Sequence, residues 1–219
     1  MKLRTFLLAV SAAFVLVLPA SADDASAASG NTTTVPDNAP AAPASTATAP
    51  ADDGTFESFR NFCVATHADA ETALSAADKA GWMPIPRVML ASFPSGKFQQ
   101  LQGRLLTTES SFIILIVARS NPFPDMDISG RVCGIAMLPA ENAAALTRNA
   151  IQFAAVPERL GSDPSNHIYM WQEDKNGTHL EVDHDTPHVR SLAEKGLLDA
   201  LLVRSDSKMA MAMFVALSK

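Results

Sequence analysis

The chain has 219 residues, with 17 lysines and arginines set against 23 aspartates and glutamates, for a net charge of −6. No cluster of basic residues interrupts that acidity, which argues against nucleic acid and anionic membrane surfaces as partners. There is no Gly-x-Ser-x-Gly, no phosphate loop and no dinucleotide fingerprint, so the common motif-borne chemistries are excluded.

The first residues read as a secretory signal. Lys2 and Arg4 give the positive start, Phe6 to Leu18 the apolar core, and Ala20-Ser21-Ala22 a small-residue cleavage site. The apolar run spans 13 residues, short of the roughly 20 that cross a bilayer, so residues 1–22 are expected to be removed. Their loss takes away two basic residues and deepens the net charge from −6 to −8. The expected address is periplasmic or extracellular, with no membrane span in the mature chain.

Residues 23–53 form an Ala/Pro/Thr/Ser/Asp tract with one valine and no aromatic residue. Such a composition cannot bury enough apolar surface to offset its ordering entropy and predicts a disordered tether. Residues 54–219 suffice for one domain with a sizeable core. Outside the cytosol the two cysteines are expected to pair as Cys63–Cys133.

The domain begins at Phe56–Pro86, read as two short helices with a break near Thr66–Asp69. Phe59, Phe62 and Cys63 line one face of the first; Ala70, Ala73, Leu74 and Ala77 line the second. Asp69 suits an N-cap, Gly81 a left-handed C-cap position, and Pro84 and Pro86 stop the helix. His67 at the break is expected to be exposed, and nothing nearby in the sequence suggests a partner for it. Glu57, Glu71 and Asp78 are read as solvated helix faces, and Gly54, Gly96 and Gly103 as isolated turn residues.

A first strand is predicted near Arg104–Thr108. Phe112–Ala118 is a continuous apolar run without alternation, as in a central strand covered on both faces. Arg131–Leu138 is the next strand, and Pro139 opens a helix to about Ala155. His167–Glu173 and Thr178–Asp183 flank Asp174-Lys175-Asn176-Gly177, where Asn-Gly suits a type I′ hairpin. Thr186 and Pro187 are expected as N-cap and first position of a helix to about Leu197, before a last hairpin, Leu198–Arg204 with Met209–Leu217. The order α-α-βββ-α-ββ-α-ββ, with short connections between consecutive strands, predicts an α+β fold: an antiparallel sheet with helices packed on one face.

Three segments are candidate sites. His179–His188 gathers three histidines and three carboxylates. His179, Asp183, His184 and His188 could serve zinc or copper, although no recognised ligand spacing is present. Met209, Met211 and Met213 would project from one face of a strand and suit Cu(I), or simply fill a core. The proline-held Phe123, with Met126, is a candidate partner-binding loop. Nucleophilic catalysis has no signal, since both cysteines are committed to the bridge. The sequence therefore predicts an exported, non-enzymatic binding domain without a cofactor, meeting a protein or envelope component. The alternative is a metal-handling protein or metal-dependent enzyme.

Overall fold

The computed structural model describes residues 54–90, 98–122, 127–159, 165–183 and 185–218. The expected signal segment and tether, the Phe93–Gly96 loop, Phe123, Met126 and His184 lie outside the described residues.

Helix α1, Thr55–Phe59, widens into a π-helical turn, Arg60–Val64. The wide turn buries Phe62 and Cys63 side by side. After a break comes α2, Ala70–Lys79. Asp69 caps it as the sequence predicts, its Oδ1 accepting from the Thr72 amide at 3.0 Å and the Thr72 hydroxyl at 2.7 Å. Gly81, at φ 84°, closes it in a Schellman arrangement: its amide donates to Asp78 O and that of Trp82 to Ala77 O. Trp82 then folds back edge-on to Phe62, their ring centres 5.4 Å apart.

Among the described residues eight strands follow: β1 Met83–Pro84, β2 Phe98–Thr107, β3 Phe112–Ser120, β4 Ser129–Leu138, β5 Asn166–Glu173, β6 His179–Glu181, β7 Leu198–Ser205 and β8 Ala210–Ser218. They form one antiparallel sheet in the order β1-β2-β3-β4-β8-β7-β5-β6. Between them lie α3, Arg87–Leu90, α4, Ala144–Ala154, and α5, Thr186–Glu194. The two edge strands are the shortest, of two and three residues, which leaves little unpaired backbone as a template for other chains. Among the described residues no helix is long and apolar enough to cross a membrane.

The helices do not share one face, as the sequence had predicted. α1, α2 and α4 cover the first face, packing Phe59, Leu74, Ala77, Leu146 and Ala150 on Leu115, Val117, Ile135, Leu201 and Phe214. α5 and α3 lie on the second, where Val189 and Leu192 meet Leu198, Leu202, Met211 and Met213. The cause is the strands themselves: β3, β4, β7 and β8 are apolar on both sides, and each side needs a cover. β1 and α3 are additions to the expected order.

Local chemistry explains the smaller differences. Gly103 sits inside β2, not in a turn, and a Cβ there would come 2.5 Å from Ile85 Cδ1 and 2.6 Å from Leu115 O. The Asp174–Thr178 turn has positive φ at Gly177 alone among its residues, so it is not type I′. Asp174 Oδ1 instead accepts from the amides of Asn176 and Thr178 at 2.8 and 2.9 Å, a side-chain turn ending in a left-handed glycine. The N-cap of α5 is Asp185, one residue earlier than expected, with Oδ1 2.6 Å from the His188 amide. Asp78 is more than a solvated carboxylate: Arg104 of β2 grips it through Nε and Nη2 at 2.5 and 2.9 Å.

Candidate functional site

The predicted bridge is present. Cys63 and Cys133 are joined, tying the π-helical turn to β4 across a sequence separation of 70. It sits at the root of an arrangement of polar groups that the sequence did not suggest.

Four residues beyond Cys63, the chain turns through His67 and Ala68 with φ of 51° and 54°. Two successive non-glycine residues in the left-handed region are strained, at about 1–2 kcal/mol each, so the surroundings must hold them. Thr66 Oγ1 donates to Phe62 O at 2.6 Å, the Ala68 amide to Cys63 O at 2.8 Å, and the His67 amide to Val64 O at 2.8 Å. Ala68 is itself 1% exposed. The turn is thus bolted to the bridged segment.

The result is to hang the His67 ring over the first face near one end of the sheet. There Trp171, Asp199, Ala216, Arg131, Arg119 and Gln99 occupy one row of register partners across β5, β7, β8, β4, β3 and β2. Partners in a row share a face. His67 stands beside Phe214, next in line to Ala216, with ring centres 5.8 Å apart. Its Nε2 is 2.9 Å from Asp199 Oδ1 and its Nδ1 3.0 Å from Arg131 Nη2.

A guanidinium can only donate, so Nδ1 is the acceptor and the ring proton sits on Nε2, donated to Asp199. Asp199 is 6% exposed, a buried carboxylate that orients the ring. Its hydrogen bond raises the His67 pKa above the ordinary histidine value; burial and the Arg131 charge act against that rise. His67 therefore has two partners that the sequence around it did not suggest. Its partners lie 132 and 64 residues away, a separation that no local pattern reports.

Arg119 and Arg131 face each other directly on β3 and β4, and both are exposed. Their Cβ atoms are then about 5 Å apart, a spacing at which like charges repel. Among the described residues Arg119 has neither an ion pair nor a hydrogen bond from its side chain. Next along the row, Gln99 donates to Asn121 Oδ1 at 2.8 Å. Two guanidiniums and an imidazole thus border one patch of an otherwise acidic chain.

Of the candidate metal ligands read from the sequence, His179, Asp183 and His188 are among the described residues. His179 turns inward: its ring stacks on Trp171 at 4.3 Å with Phe153 edge-on at 5.0 Å, and Nδ1 is 2.9 Å from Ala154 O. His188 is in the first turn of α5 and exposed, as is Asp183 before it. Among the described residues no three histidine, cysteine or carboxylate side chains gather closely enough to hold a metal ion. Met209, Met211 and Met213 are each 2–3% exposed and pack with aliphatic neighbours on the second face. There Met211 and Met213 border a small apolar depression with Phe98, Ile116 and Val132, which offers contact but no polar group to orient a ligand.

No family model, curated protein or solved structure matches the chain.

Proposed function

We propose that this is an exported binding domain, without catalytic activity, whose ligand presents an anionic group to Arg119 and Arg131. The observation that carries the reading is the arginine pair itself. Two exposed guanidiniums in direct register cost free energy unless an anion lies between them. An anion there would gain paired, charge-assisted hydrogen bonds. His67 at the margin, buttressed by Asp199, adds a third nitrogen-bearing group. The disulfide and the sequence of residues 1–22 support a location outside the cytosol.

The same geometry favours binding over hydrolysis. A histidine held by a buried carboxylate is the usual form of a general base, but such a base needs a free lone pair toward the substrate. The lone pair of His67 Nδ1 is taken up by Arg131.

Equilibrium titration with sulfate at fixed ionic strength and pH tests the proposal. Arg119→Ala and Arg131→Ala should each weaken binding by about tenfold, the loss expected for one hydrogen bond to a charged group. Arg119 is exposed and its side chain makes no hydrogen bond among the described residues, so the stability of Arg119→Ala should stay within about 0.5 kcal/mol of the parent. Equal affinity in parent and variants would overturn the assignment.

A further inference from the structure

We propose that His67 is a proton-operated latch on the anion site, holding Arg131 aside when neutral and releasing it when protonated. The inference rests on the reading of Arg119 and Arg131 given above and assigns that site its regulation.

The geometry admits one state of the imidazole. With Nε2 donating to Asp199 and Nδ1 accepting from Arg131, both ring nitrogens are engaged and the ring is neutral. A second proton has only Nδ1 to go to. Nδ1–H would then point at a guanidinium that has no lone pair to offer, so the contact turns from a hydrogen bond into a repulsion. The ring itself cannot retreat. Its backbone is fixed by the left-handed turn beside Cys63, and its other nitrogen by Asp199. Arg131 is the exposed partner of the two, in register with Arg119 on the neighbouring strand. Protonation therefore frees one guanidinium and adds a third positive charge at the same margin.

The groups that face His67 have both signs. Asp199 on β7 and Glu173 at the end of β5 favour the protonated ring, while Arg131 on β4 opposes it. Phe214 on β8 contributes an uncharged ring. Asp69, the N-cap of α2, senses Arg131 and not the imidazole directly. Arg119 lies one strand beyond Arg131. The direct hydrogen bond to Asp199 is the largest of these influences and raises the pKa above the ordinary histidine value.

The test is sulfate affinity as a function of pH, because sulfate keeps a single charge state across the window. Parent protein should bind sulfate on the order of fivefold more tightly at pH 5.5 than at pH 8.5, the gain from one added charge close to the anion. His67→Asn, chosen because asparagine tolerates positive φ, should bind with one affinity at both values. Asp199→Asn should move the midpoint of the transition to lower pH. Binding that is equal at pH 5.5 and 8.5 in the parent overturns the latch and leaves the anion site standing. Absence of sulfate binding at every pH overturns the anion site itself. A pH response that persists unchanged in a folded His67→Asn protein assigns the proton elsewhere and also overturns the latch.

Discussion

His67 is a side chain whose free energy depends on three other residues and on the proton. Because its folded-state pKa is raised, its contribution to stability is complete below about pH 6.5, the unfolded-state value. That contribution is lost as pH rises through the higher folded-state value. Melting temperature should therefore decline over that interval, and His67→Asn should remove that part of the decline. A parent curve that rises with pH there would contradict the Asp199 contact as the dominant influence. A different residue-scale test concerns Gly103, where β2, Ile85 and β3 meet without space for a Cβ. Gly103→Ala should cost about 1–3 kcal/mol by overpacking, read from chemical denaturation. An unchanged midpoint would mean that Ile85 shifts freely.

At the scale of elements, the disulfide connects the sequence to the site. Cys133 lies two residues from Arg131 on the same face of β4, and Cys63 lies four residues before His67. The bridge thus fixes both sides of the His67–Arg131 contact. Cys63→Ser should lower stability by roughly 4 kcal/mol on the loop-entropy account of a closed segment of this length. It should also raise hydrogen exchange at the His67 and Ala68 amides, whose acceptors lie in the bridged turn. If melting were unaffected, the bridge would have no part in holding the strained turn.

Much of this level is legible in the chain. Asp69, Gly81 and Pro187 act locally, through caps and fixed torsions that follow from residue type, and Phe112–Ala118 announces its burial by its composition. The direction in which α5 packs is not legible, because periodicity tells that a helix has a buried face and not which side of a sheet receives it. The His67–Asp199–Arg131 arrangement is hidden for a related reason. It depends on register across three strands, whereas the histidines of His179–His188 are conspicuous because they are close along the chain.

The whole molecule is a sheet with two cores. β8 serves both by alternation: Ala210, Ala212 and Ala216 let the first-face helices approach closely, while Met211, Met213 and Val215 fill the second. The methionine–alanine pattern, which invited comparison with copper sites, is accounted for by this division of sizes. Function is assigned to the margin of the first face, where the helical cover gives way to polar side chains around His67. The most direct measurement of that assignment is an NMR titration that follows the arginine Nε–Hε signals as sulfate is added at constant pH and ionic strength. The account predicts that Arg119 and Arg131 move together and saturate, while Arg104, held by Asp78, and Arg148 on α4 stay in place. Movement of all four in parallel, or of none, would contradict it.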